Sequence, residues 1–96
     1  MKLFGYLMAL PMALCNLYGY TEPGCRGSVI LIDNHTCNGC IKIPTSPELR
    51  SYRGVDMIAF GLSSDRTCNN ENAGHGVAGQ CVDDLDAIAA RAYVKC

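Results

Sequence analysis

The chain has no tryptophan, only 7% aromatic residues and only 18% charged residues. A surface that grips polysaccharide normally displays several aromatic faces, so chitin or cellulose binding lacks its usual carriers. There is no excess of positive charge: 8 Lys+Arg stand against 9 Asp+Glu. That balance excludes a nucleic-acid binder that works by neutralising phosphates. It also excludes a basic amphipathic lytic peptide. At 96 residues the chain is too short for a multidomain enzyme. A 49% hydrophobic content excludes a disordered charged tail.

Histidine is equally sparse, with His35 and His75 alone. General acid–base work needs such a group held near a carboxylate or a second histidine. His75 lies in the flexible context Gly74-His75-Gly76, and His35 follows Asp33 and Asn34 in a turn-like stretch. Ser63-Ser64-Asp65 carries no nucleophile-elbow pattern and reads as a turn. No catalytic, cofactor-binding or metal-ligating residue is named, and no cofactor is expected. The expectation is a protein that is not an enzyme.

Cysteine is abundant, with 7 in the chain. The first, Cys15, closes an almost wholly apolar run from Leu3 that follows Lys2. Such a run fits the roughly 7–15 residues of a secretory h-region. It falls short of the ~20 residues that span a bilayer, so no stable membrane insertion is expected. Residues 1–15 therefore read as a signal peptide, with Ala13 and Cys15 at the small-residue positions. A cut as late as Gly19 is the alternative. Residues 16–96 read as a single cysteine-rich secreted domain. Removing Cys15 leaves Cys25, Cys37, Cys40, Cys68, Cys81 and Cys96, an even number able to pair completely. A domain this small has little surplus stability from its core. Disulfides at about 2–4 kcal/mol each are the natural supplement. The sequence does not choose among the possible pairings.

Local patterns give a coarse fold. Thr21 to Gly27 reads as a turn-rich lead-in. Ser28 to Asp33 is a β-branched run consistent with a strand buried on both faces. Ile41 to Ile43 reads as its hairpin return, stopped by Pro44 and Pro47. Ser51 to Val55 and Met57 to Leu62 suggest further strand. Ser63 to Gln80 is a polar, glycine- and asparagine-rich loop tied down by Cys68. From Cys81 onward, Leu85, Ile88, Ala89 and Ala92 form a helical stripe. Asp83, Asp84 and Asp86 at its start, with Arg91 and Lys95 at its end, suit a helix dipole. A continuous helix would separate Cys81 and Cys96 by about 22 Å, so these two are not expected to pair. Tyr93 to Cys96 could instead leave the helix as a final strand. The expected fold class is α+β: a small disulfide-stapled domain, an antiparallel sheet with a C-terminal helix packed on it.

Two motifs have sharper chemical readings. Cys37-Asn38-Gly39-Cys40 has thioredoxin-type spacing, but it lies between strand-like runs rather than at a helix start. Two half-cystines bonded to different partners is the favoured reading. The cysteines together with His35 and His75 match no compact zinc spacing, and secretion favours oxidation over thiolate ligation. Asn34-His35-Thr36 satisfies the N-glycosylation rule in an expected loop, which makes Asn34 the candidate glycan site of a glycoprotein.

The leader-like Met1 to Cys15, the six remaining cysteines and the lack of an enzyme motif resemble small secreted cysteine-rich fungal proteins, many of them effectors with a virulence role. A weaker resemblance is to killer-toxin-like α/β effectors, through Val29 to Ile32, Met57 to Phe60 and the Cys81 segment ending in Tyr93 to Cys96. The resemblance implies a secreted binding protein acting outside the producing cell. Its partner would be a host or competitor extracellular protein or surface receptor. The expected presenting segments are Asn34 to Gly39 and Ser63 to Gln80, which are polar and lie between ordered runs. The alternatives are an antimicrobial or killer-type toxin, a protease inhibitor and, behind these, a small secreted hydrolase or nuclease.

Overall fold

The computed structural model describes residues 15–96, so most of the expected leader lies outside the described residues. Eight strands follow one another: β1 (Asn16–Glu22), β2 (Arg26–Asp33), β3 (Gly39–Lys42), β4 (Ser51–Val55), β5 (Ala59–Ser63), β6 (Gly74–Val77), β7 (Cys81–Asp83) and β8 (Arg91–Lys95). They form two antiparallel four-stranded sheets, ordered β2-β1-β4-β7 and β3-β8-β5-β6. The chain crosses between sheets after β2, β3, β4, β6 and β7.

Strand alternation explains the single core. In β1, Leu17 and Gly19 are buried, while Tyr18 and Tyr20 are half-buried on the other face. In β8, Ala92 and Val94 are fully buried while Arg91, Tyr93 and Lys95 alternate outward. Leu17, Tyr52 and Val82 from the first sheet meet Phe60, Leu62, Ala92 and Val94 from the second. Ile43 and Leu49, on the connection between β3 and β4, join the same cluster. A period of two places every second residue against the facing sheet.

Glycine lets the layers approach. A Cβ on Gly76 of β6 would lie 2.5 Å from Val82 Cγ2 of β7, in the other sheet. One on Gly54 of β4 would collide with Met57 and come within 3.0 Å of Phe60 Cδ1. Neither position has room for a side chain.

The expected α+β architecture is overturned: there is no helix among the described residues, and the fold is all-β. The segment assigned to a C-terminal helix is instead β7, an irregular loop and β8. Its expected apolar stripe is split: Ala92 and Ala89 reach the core, but Leu85 is 56% and Ile88 47% exposed. The physical reason lies in Asp84. Its buried carboxylate accepts the Ile88 and Ala89 amides at 3.1 and 2.9 Å, and its carbonyl accepts the Ala87 amide. An aspartate that gathers downstream amides offers the backbone a turn in place of a helix. Pairing of Arg53 with Cys81, and of Gly61 with Tyr93, takes up the flanking residues as strand. The alternative of a final strand over Tyr93 to Cys96 lies close to β8.

Two further expectations change. Ser28 to Asp33 does form strand, within β2, but β2 is a sheet edge with Val29 52% and Leu31 47% exposed. Its partner is β1 rather than the Ile41 segment, which lies in the other sheet as β3. Thr21 and Glu22, expected in a turn-rich lead-in, instead end a strand, Asn16–Glu22, that is flanked by β2 and β4.

This arrangement predicts that Leu62→Ala costs about 2–5 kcal/mol of stability, as for a fully enclosed core leucine. Leu85→Ala should stay within about 0.5 kcal/mol. Denaturant unfolding with the disulfides intact measures both. A core-sized loss at Leu85 would restore the helical reading.

Candidate functional site

Each sheet has its outer face covered by a short segment held with sulfur. On the first sheet, the turn after β1 folds back over β4 and β7. The Cys25 amide donates to Ser51 Oγ at 2.9 Å, and that hydroxyl donates to the Glu22 carbonyl at 2.6 Å. The Gly24 amide donates to Asp83 Oδ1 at 2.8 Å, and Cys25 is joined to Cys81. Ser51 is thereby buried although it faces away from the core. Beyond this cover lie Tyr18, Tyr20, Val29 and Leu31. Arg53 is paired with Tyr18, and its Nε is buried without a hydrogen-bond partner.

On the second sheet, the loop from 64 to 73 is tied to β3 by Cys40–Cys68, with the two Cα atoms 5.8 Å apart. Glu71 lies over Gly61, where a Cβ would meet its carboxylate at 2.5 Å. The asparagine-rich sequence bonds to itself. Asn72 Nδ2 donates to Ser64 Oγ at 2.7 Å, and the Ser64 amide returns to Asn72 Oδ1 at 3.0 Å. Asn70 Nδ2 donates to Asp65 Oδ2 at 2.8 Å. These bonds leave Asp65, Arg66, Thr67 and Asn69 exposed on an internally braced loop.

The segment from 34 to 38 enters the same region, because it leads directly into β3. Its entry is set by Asp33, whose Oδ2 accepts the Thr36 and His35 amides at 2.8 and 3.3 Å. Burial pushes the Asp33 carboxyl up, but Thr36, the His35 amide and the His35 ring outweigh it and hold the group below its ordinary 3.8. At the far end, Asn38 Oδ1 accepts the Cys96 amide at 3.1 Å. The Cys40–Cys68 bond thus ties residues 64–73 to β3, the strand into which the Asn34 to Gly39 segment leads. The rest of the expected Ser63 to Gln80 loop is not loop throughout, because Gly74–Val77 forms β6. Asn34 is exposed, so its sequon is sterically open.

Cys37 and Cys40 lie against different partners, Cys96 and Cys68. Cys96 is also in bonding contact with Cys15. The Cys15, Cys37 and Cys96 sulfurs all lie within 4.8 Å of one another, and no other trio of potential metal ligands gathers this closely among the described residues. The histidines stand apart. His35 Nδ1 is 3.5 Å from Asp33 and His75 Nδ1 is 3.6 Å from Glu71, with both rings largely in solvent. Exposed pairs of this kind contribute little energy and hold a ring loosely.

A cleft of about 360 Å³ opens beside Tyr52, lined by Ile43, Pro44, Thr45, Glu48, Leu49, Ala87 and Ala89. Burial and the nearby Asp84 carboxylate push the Tyr52 phenol well above its usual range, so it stays protonated. Glu48 is 3.6 Å from Arg50 at the surface. The cleft lining contains no nucleophile paired with a base.

No family model, curated protein or solved structure matches this chain. The resemblance to killer-toxin-like α/β effectors does not survive the all-β architecture.

Asp33 supplies a pH test. A carboxyl held low in the fold stabilises it above the unfolded-state value, and that contribution fades as pH falls through the folded value. Asp33→Asn should therefore be less stable than the parent at pH 7, with the gap closing below about pH 4. Urea midpoints across that range measure it. A gap independent of pH would remove the assignment.

Proposed function

We propose that the protein is a secreted, disulfide-stabilised binding protein that acts outside the producing cell and is not an enzyme. Its partner is an extracellular protein or surface receptor of a host or competitor. The observation that supports this reading most is the polar surface of residues 34–38 and 64–73. Cys40–Cys68 ties the polar loop 64–73 to β3, the strand into which the polar segment 34–38 leads, and the loop is braced by its own side chains. A loop ordered before it meets its partner loses less entropy on binding. Exposed loops on a rigid scaffold are where binding specificity is normally placed.

A protease inhibitor or antimicrobial toxin would use the same scaffold, and the braced loop 64–73 is the feature that favours this second reading. Functional assays separate the two. The secreted protein would be tested against a protease panel, against competing microbes and as bait in host extracellular fluid.

The decisive variants are Arg66→Glu and Asn69→Ala, whose side chains are exposed and make no hydrogen bond among the described residues. Together they should weaken capture of the extracellular partner by at least about tenfold, the loss expected of a binding hot spot. Thermal stability should be unchanged. Unaltered capture would place the binding surface elsewhere. In a glycosylating host, Asn34→Gln should also lower the mass of the secreted product by one N-glycan. An unchanged mass would show the sequon to be unused.

A further inference from the structure

Three sulfurs meet where only one bond can form. Cys96, at the end of β8, is in bonding contact with both Cys15 and Cys37. Cys15 and Cys37 are themselves 3.7 Å apart. A cystine sulfur makes one disulfide, so Cys15 and Cys37 compete for Cys96. The other four cysteines are settled as Cys25–Cys81 and Cys40–Cys68. The competitors are not equivalent. Cys37 is exposed, and choosing Cys15 would leave its thiol facing an oxidising solvent. Cys15 stands just before the first residue of β1, and the ladder with β4 begins with Asn16 opposite Val55.

We infer that the peptide bond between Cys15 and Asn16 is the processing site, and that its cleavage assigns Cys96 to Cys37. This rests on the secretion reading above. A cut there keeps all of β1. A cut after Gly19 would remove Leu17 and Gly19 from the buried face of a strand that pairs on both sides. Cys15 is 1% exposed in the fold and its amide donates to the Asp56 carbonyl at 3.2 Å. A protease cannot reach that bond once the sheets have closed, so cleavage precedes folding. Hydrolysis consumes one water, giving a carboxylate on Cys15 and an amine on Asn16. The Cys37 and Cys96 thiols then pass two electrons and two protons to a disulfide oxidant of the secretory route, which becomes a dithiol. The mature connectivity is Cys25–Cys81, Cys37–Cys96 and Cys40–Cys68. A chain that keeps Cys15 acquires an exchangeable third thiol at this cluster.

The test is secretion of the full chain, followed by N-terminal sequencing, alkylation without reductant and disulfide mapping. The expected product starts at Asn16, takes up no alkylating reagent and yields a Cys37–Cys96 peptide. Cys15→Ser should give the same three bonds. Cys37→Ser should expose one reactive thiol, on Cys96. An exported chain that contains a Cys15–Cys96 peptide, or begins at another residue, overturns the inference while leaving secretion intact. A chain retained inside the cell with reduced cysteines overturns the secretion reading itself.

Discussion

Two sheets of four short strands can bury apolar surface only on their facing sides, and everything else in this protein follows from that shortage. The shared core is a single layer in which Leu17, Tyr52 and Val82 interlock with Phe60, Leu62 and Val94. A core of this size supplies little net stability once chain entropy is subtracted. The outer faces are therefore put to use. Cys25–Cys81 pins a turn over one, and Cys40–Cys68 pins a loop over the other. Each bond links residues distant in sequence, 56 and 28 positions apart. Long closures of this kind restrict the unfolded chain most in the chain-entropy account.

Stabilisation and presentation coincide in the second of these covers. The Cys40–Cys68 bond that protects the outer face also fixes residues 64–73 against β3, which follows directly on residues 34–38. Side-chain hydrogen bonds of Ser64, Asp65, Asn70 and Asn72 replace the secondary structure that the loop lacks. A polar, asparagine-rich stretch thus becomes ordered without losing its exposed side chains. That combination gives the proposed binding role a physical basis independent of any catalytic group.

The three-sulfur cluster gathers distant parts of the chain. It lies where the start of the first sheet, the crossover to the second and the end of β8 converge. The choice of partner for Cys96 therefore decides which pieces are joined. Cys15 ties the entry of β1 to β8, whereas Cys37 ties the crossover to β8. Only the second choice belongs to a domain that begins at Asn16.

The local reading succeeded where composition alone carries the information. Cysteine content, the β-branched run from Val29 to Ile32 and the strands around Ser51–Val55 and Ala59–Leu62 are visible in the residues themselves. It failed at Leu85, Ile88, Ala89 and Ala92, whose spacing suits a helix. That segment is claimed at both ends by strand pairing and in the middle by the Asp84 carboxylate. It also gives no strand for β1, although Leu17-Tyr18-Gly19-Tyr20 places every second residue against the core, because a run this short carries little periodicity of its own. The loop at 64–73 was legible as a polar stretch, but its tether to β3 was not. The sequence by itself determined that this would be a small, cysteine-held chain of short β-rich runs. Tertiary structure alone decided which strands share a sheet, which sulfurs meet and which strand the loop is pinned to. Those outcomes depend on pairings between residues tens of positions apart, and no local periodicity encodes them.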